Sequence, residues 1–367
     1  MTLHIFNPEH DIALASNLSN FTAPHAGRQL RNDLGFLPAL WAKEGDRILV
    51  EHEESALKAY RRVCHRLVKL GIADSLLALN PQFTTTKVDV YRQGIQRLQP
   101  WGWDRAIRRE LERMGFAEPL LPTEDQVAHI RQLSHRRTSA QLLPLLQTEG
   151  TAGEAFECKT VDDVTELMHR YERLVLKAPW SSSGRGVRFV TGDNGQRTTD
   201  KWMRNVIAVQ GSIMAEPYYN KVKDFGMEFE ADAEGQIRYL GLSLFHTANG
   251  AYEGNILATE SAKCDMISRY IPAYLLDLVK QRITERLRLN GYVGPFGVDM
   301  MIIASLNDKG DKINGKSFLL HPCVEINLRR TMGHVALSIS PTDDDIRGVM
   351  RVVYDGNHYK LKINKLR

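Results

Sequence analysis

The stretch Phe318-Leu319-Leu320-His321-Pro322-Cys323-Val324-Glu325-Ile326-Asn327-Leu328-Arg329 carries the strongest fold signal in the chain. It is an apolar run in which Glu325, Asn327 and Arg329 recur at a spacing of two. Successive strand residues point to opposite sides, so those three side chains share one face. A carboxylate and an amide oxygen side by side suit a hard cation such as Mg²⁺. An arginine next to them can hold a phosphate or a carboxylate through two parallel hydrogen bonds. Taken alone, the pattern is better explained as an edge strand with a polar outer face.

A second apolar run, Gly297 to Ala304, lies just upstream. The segment between them, Ser305 to Ser317, is polar and contains Asn307-Asp308-Lys309-Gly310 and Asn314-Gly315-Lys316. That is hairpin-loop chemistry, so the two runs are expected to be antiparallel neighbours. The pairing allows Asp299, in Gly294-Pro295-Phe296-Gly297-Val298-Asp299-Met300-Met301, to lie across from Glu325. Among apolar flanks an unpaired carboxylate is costly, and two close carboxylates repel unless a cation or a proton sits between them. A single Asp bonded to a backbone amide at a strand end is the plainer alternative.

Further upstream, Leu174-Val175-Leu176-Lys177-Ala178-Pro179-Trp180-Ser181-Ser182-Ser183-Gly184-Arg185-Gly186-Val187 reads as a strand ending in lysine, then a loop of small residues. Lysine brings a compact positive charge to phosphate oxygens. Small residues let backbone N–H groups close around the same oxygens. Without the two companion segments this is an ordinary surface turn, and its spacing is not that of a Walker A loop.

In order and spacing the three segments together resemble the ATP-grasp superfamily. Lys177 to Gly186 is similar to the phosphate loop of the purine-biosynthetic members, and Glu325-Ile326-Asn327-Leu328-Arg329 to the E-x-N-x-R of carbamoyl-phosphate synthetase and its relatives. The resemblance covers roughly Glu124 to Ile346. It implies an α/β and α+β protein: two α+β lobes with ATP between them, preceded by a small α/β unit. The expected boundaries are 1–123 for the N-terminal pre-ATP-grasp-like domain, 124–215 for the small lobe and 216–346 for the large lobe, with 347–367 as a C-terminal tail.

The same resemblance implies roles. Asp299, Glu325 and Asn327 would hold one or two Mg²⁺ ions. Lys177 and Arg136, the latter preferred to Arg137 in Ser134-His135-Arg136-Arg137-Thr138-Ser139, would neutralise phosphate, and Ser181, Ser182, Ser183, Gly184, Arg185 and Gly186 would close over it. Glu216, with backbone groups of Pro217 and Tyr218, would meet the adenine from a strand crossing between the lobes. Asp224 would hold the ribose, with Glu228 as runner-up and an outward strand position as its plainer reading. Arg329 and Arg330 would act in catalysis beside Lys177. For the acceptor pocket the candidates are Asn7-Pro8-Glu9-His10-Asp11, otherwise a turn with Asp11 as helix N-cap, and the polar segment Phe245 to Asn255, otherwise a hairpin loop.

The remaining sequence is consistent with a globular enzyme. Of 367 residues, 43% are hydrophobic and 25% charged, and so long a chain needs more than one core. The net charge of +4 is too small for a nucleic-acid binder with a basic face, and the arginines between Arg105 and Arg113 read as one solvated helix side. Cys64, Cys158, Cys264 and Cys323 form no CxxC pair, so buried thiols in a reducing compartment are expected. No run approaches the ~20 apolar residues of a membrane span, and the first residues do not read as a signal peptide. The expectation is a cytoplasmic protein without a membrane or nucleic-acid partner, and a homodimer is one assembly found among such enzymes. Strand patterns are read at Leu3–Phe6, Arg47–Glu51, Leu174–Lys177, Val187–Val190, Ile207–Glu216, Phe225–Ala231 and Ile237–Phe245. Helix patterns are read at Glu54–Leu70, 124–147, Val161–Tyr171 and Pro272–Leu289, and Tyr359–Arg367 reads as an edge strand or a loose end.

The implied activity is a Mg-ATP-dependent ligase that converts a small-molecule carboxylate to an acylphosphate for attack by an amine, or a thiol, releasing ADP and phosphate. The alternatives are an ATP-grasp small-molecule kinase with the same metal site, and a non-catalytic ATP-binding regulatory protein. The full set of Lys177, Asp299, Glu325, Asn327 and Arg329 disfavours the last, because a binding relic has no need of it.

Overall fold

In a computed structural model, residues 1–72, 80–86, 93–181, 186–191, 196–248, 251–305, 312–313 and 316–366 are described. The first third forms a parallel sheet. Its strands are β1 (Thr2–Ile5), β2 (Arg47–Leu49), β3 (Gln82–Thr84) and β4 (Arg97–Pro100), in the order β3-β2-β1-β4. Parallel neighbours need crossover connections; the helices of this unit are α1 (His10–Ser16), α2 (His25–Leu34), α3 (Glu53–Lys69) and α4 (Arg105–Arg113). The helix α3 buries Ala56, Tyr60, Val63, Cys64 and Leu67, the three- and four-residue spacing of one face. Strand order reverses at β1, so a switch point lies between the carboxyl ends of β1 and β4, where α/β sheets receive ligands. There Asn7 Nδ2 donates to the Gly102 carbonyl at 2.9 Å, and His10 Nδ1 lies 3.2 Å from Asp104 Oδ2.

Thr123 and Gln126 form the capping box that opens α5 (Glu124–Leu133), and α6 (Arg137–Leu146) follows. The small lobe is the antiparallel sheet β5-β8-β6-β7, from β5 (Phe156–Cys158), β6 (Arg173–Lys177), β7 (Val187–Thr191) and β8 (Ile213–Pro217). Its helices are α7 (Val161–Arg170) and α8 (Gln196–Gln210). The expected strand Ile207–Glu216 is corrected here: Ile207 to Gln210 is the last turn of α8, and the strand begins at Ile213. Met203 and Val206 face the small-lobe core from that helix, and Gly211, at φ +86°, makes the left-handed turn that ends it.

The large lobe is an eight-stranded sheet in the order β13-β14-β12-β9-β10-β11-β15-β16. Its strands are β9 (Lys221–Ala231), β10 (Ile237–Ala248), β11 (Ala251–Leu257), β12 (Gly294–Ala304), β13 (Lys312–Ile313), β14 (Lys316–Asn327), β15 (Gly348–Tyr354) and β16 (Tyr359–Lys365). The polar segment Phe245–Asn255 is thus a β10–β11 hairpin, with Asn249 and Gly250 outside the described residues. The helices α9 (Glu260–Ser268), unassigned by the sequence reading, and α10 (Ala273–Arg286) pack into one core with Phe225, Phe229 and Phe296. The helices α5 and α6, expected with the small lobe, bury Ile130, Leu142, Leu143 and Leu146 in that same large-lobe core. Residues Leu361 and Ile363 of the edge strand β16 share a core with Phe6, Leu37 and Val335, the last on α11 (Met332–Ser338). The segment expected as a tail therefore extends the large sheet and joins it to the N-terminal unit. Three of the four cysteines are buried, none is disulfide-bonded, and among the described residues no helix is long and apolar enough to cross a membrane.

Candidate functional site

Strand alternation turns Phe225, Met227, Phe229, Val298 and Met300 into the core and leaves Glu228, Asp299, Glu325 and Asn327 on the other face. Asp299 pairs directly with Glu325, and Gly297 with Asn327, as the antiparallel hairpin reading expects. On the far side of β12, Gly226 stands opposite Asp299 and Glu228 opposite Gly297. A Cβ on Gly297 would come 2.7 Å from a Glu228 carboxylate oxygen, so glycine makes room for the acidic row. Burial raises the Asp299 carboxyl, and the charges of Glu325 and Glu228 add to it. Arg329 and a hydrogen bond from Asn327 only partly oppose them, and the group is pushed up to about 8.

Other groups already serve these acids. Asn327 Nδ2 donates to Asp299 Oδ2 at 3.0 Å, and Arg136 Nη2 donates to Glu325 Oε1 at 2.8 Å. Arg136 stands at the start of α6, and its Nη1 also donates to Ser181 Oγ at 2.8 Å and to the Ala178 carbonyl. It thereby ties the lysine-ended loop to the acidic strand. Arg137 turns away to Glu157 at 3.3 Å. Ser139, which the sequence reading did not single out, fixes the same helix to the strand by accepting from the Ile326 N–H at 2.9 Å.

The neck of the loop is closed by the Ala178 N–H donating to the Gly186 carbonyl at 2.8 Å. A Cβ on Gly186 would lie 2.4 Å from the Ser181 side chain, so only glycine fits there. Trp180, also missed, packs this neck under the Arg131 guanidinium 3.6 Å away and donates from Nε1 to the Arg131 carbonyl. Ser182, Ser183, Gly184 and Arg185 lie outside the described residues. Lys177 Nζ pairs with Glu216 Oε2 at 2.6 Å across β6 and β8, and both side chains are buried. Pro217 ends β8. Tyr218 is turned outward under the Arg173 guanidinium, and its N–H is already bonded to the Arg173 carbonyl.

Asp224 lies on β9, ion-paired with Lys221 at 2.5 Å. Glu228 is not an outward strand residue: it is buried on the acidic face, with Oε2 2.9 Å from His334 Nδ1. The outward reading missed this because the covering helix α11 lies about a hundred residues downstream. Asp11 is likewise no N-cap. Glu9 holds that position, and Asp11, in the first turn of α1, receives the Arg329 guanidinium through two hydrogen bonds of 2.8 Å. Burial alone would raise the Asp11 carboxyl, but the charge and hydrogen bonds of Arg329 outweigh it and hold it below its ordinary value. The Arg330 guanidinium packs 4.5 Å over the Trp41 ring, and burial lowers its pKa to about 10. His321 and Cys323 are buried in the core. A crevice of about 10 Å³, room for about one water, lies among His10, Asp11, Trp180, Ser181, Glu325 and Asn327, where the N-terminal unit, the loop and the acidic strand meet.

No protein-family model and no curated protein sequence matches the chain. Among solved structures the chain is similar to N5-carboxyaminoimidazole synthetase from Staphylococcus aureus complexed with ADP. The identity is 12% and the TM-score 0.46, over 97% of this chain and 83% of that one. It is also similar to a biotin carboxylase ATP complex from Campylobacter jejuni, at 11% identity and TM-score 0.48, over 96% and 75%. The biotin carboxylase domain of a Hydrogenobacter thermophilus 2-oxoglutarate carboxylase, in complex with MgADP and bicarbonate, is 14% identical with TM-score 0.46, over 96% and 74%. These are likenesses of fold.

Proposed function

We propose that this chain is an ATP-grasp ligase that uses Mg-ATP to activate a small-molecule carboxylate for attack by an amine. The observation that carries the reading is the direct opposition of Asp299 and Glu325, with Asn327 on the same face and Arg136 reaching them from the phosphate-loop side. The donors are the carboxylates of Asp299 and Glu325, because Asn327, expected as a third ligand, turns its NH₂ group and not its oxygen to Asp299; among the described residues no three His, Cys, Asp or Glu side chains group around a common point. Such a set fits Mg²⁺, which is held by one or two carboxylates together with substrate phosphates rather than by an all-protein cage. When bound, the ion neutralises phosphate charge as the γ-phosphoryl group moves.

The chain's own residues do the rest. Lys177 and Arg136 carry positive charge to the phosphates. Ser181 and Gly186, the described ends of the loop, border them. Glu216 and the carbonyls of Pro217 and Tyr218 face the adenine, and Asp224 the ribose, because Glu228 is buried. A carboxylate oxygen attacks the γ-phosphorus and ADP leaves; the amine then attacks the acyl carbon, loses a proton and expels phosphate. The acceptor binds in front of the acid pair, with walls from the N-terminal unit and the large lobe.

The test is to incubate the protein with Mg-ATP, a panel of carboxylic acids and hydroxylamine. A ligase yields a hydroxamate with ADP, and Glu325→Gln yields none. ADP release that gives a stable phosphoester and no hydroxamate points to the kinase instead. No nucleotide turnover with any acid overturns the enzyme reading.

A further inference from the structure

Arg329 leads away from the acid pair, into the N-terminal unit. Its Nε and Nη2 donate to Asp11 Oδ1 and Oδ2 at 2.8 Å each, and Nη2 also donates to Asn327 Oδ1 at 3.1 Å. An arginine has no acceptor, so the Asn327 amide must present its oxygen to Arg329. Its NH₂ group is then left to donate to Asp299 Oδ2 at 3.0 Å. The polarity of the amide is therefore set from outside the acid pair. Four side chains form one directed chain, Asp11–Arg329–Asn327–Asp299, that starts 318 residues away from its second member.

From this geometry we propose that Asp11 is a positioning residue for the cation site, acting through Arg329 on Asn327 and Asp299. The proposal rests on the Mg-ATP reading of that site. Three features support it. The Arg329 fork toward Asp11 is filled, so that edge is closed to a substrate carboxylate. Asp11 also offsets the Arg329 charge, so the arginine can orient Asn327 without cancelling the negative charge that draws in a cation. And Asp11 stands in the first turn after β1, at the switch point of the N-terminal sheet, which makes that unit part of the site. Partners that orient metal ligands from behind typically matter at ~10- to 100-fold in metal affinity.

The experiment is Mn²⁺ affinity in the presence of ATP, from the free-ion electron paramagnetic resonance signal. It uses the wild type, Asp11→Asn, Arg329→Gln and the double variant, each checked for folding by its melting curve. Asp11→Asn is expected to bind Mn²⁺ about tenfold more weakly. The double variant should be no weaker than Arg329→Gln alone, because residues acting in one chain are non-additive. Arg329→Lys keeps the charge but lacks the fork that engages Asp11 and Asn327 together. It should show the same loss and stands in if Asp11→Asn does not fold. Unchanged affinity in Asp11→Asn, or losses that simply add in the double variant, would overturn the proposal while leaving the ligase reading in place. No Mn²⁺ uptake by the wild type would overturn both.

Discussion

Arg136, at the start of α6, donates to Glu325 on the large-lobe sheet at 2.8 Å, while the same guanidinium holds Ser181 and Ala178 at the neck of the lysine-ended loop. One side chain thus occupies a carboxylate that a cation would take and a loop that phosphates would take. Arg136→Ala should have effects of opposite sign. Nucleotide affinity should fall about tenfold or more, from the ~1.5–3 kcal/mol of a charged hydrogen bond. Mn²⁺ binding without nucleotide should become tighter, because Glu325 loses its competitor. Calorimetry measures both; equal losses in the two would mean that Arg136 only supports the fold.

Lys177 and Glu216 form a buried ion pair. Removing one partner strands the other charge, at a typical cost of about 3–5 kcal/mol, whereas replacing both with apolar residues is often near neutral. Lys177→Met should therefore lower the melting temperature markedly, and Lys177→Met with Glu216→Leu should recover most of it. Neither variant should bind ATP as the wild type does. Full nucleotide affinity in the stable double variant would remove both residues from the site.

Asp299 gives a pH prediction. Its carboxyl is pushed up to about 8 by burial, Glu325 and Glu228, against about 3.9 in an unfolded chain. Between these values the folded state holds a proton that the unfolded state has released. The stability due to this group is thus complete below about pH 4 and is lost as the pH rises toward about 8. The metal-free protein should lose melting temperature across that window more steeply than Asp299→Asn does. Excess Mg²⁺ should oppose the loss at the upper end. Identical profiles for wild type and Asp299→Asn would contradict the assignment.

The acid pair was legible because two short-range signals agree. The polar, glycine-containing linker between two apolar runs specifies an antiparallel hairpin, and alternation puts Asp299 opposite Glu325. The helix start at Glu124 was legible because the signal that opens it, the Thr123–Gln126 capping box, is local. The relations that were not legible join distant segments: Asp11 with Arg329, Glu228 with His334, Ser139 with Ile326. No periodicity links such positions. The apolar Ile207–Val209 read as strand because β-branched residues favour strands. What fixes it as helix is the packing of Met203 and Val206 a turn earlier against the small-lobe sheet.

The central claim is that Asp299 and Glu325, with Asn327 orienting Asp299, bind a cation shared with ATP. The most direct measurement is the melting temperature with and without saturating Mg-ATP, for wild type and Glu325→Ala. A ligand at a hundred times its Kd stabilises the folded state by about 2.7 kcal/mol, which is a rise of about 3–4 °C at roughly 1.3 °C per kcal/mol in a chain of this size. The account predicts that rise in the wild type, its dependence on Mg²⁺, and its loss in Glu325→Ala. An equal rise in both proteins, or none in the wild type, would contradict it.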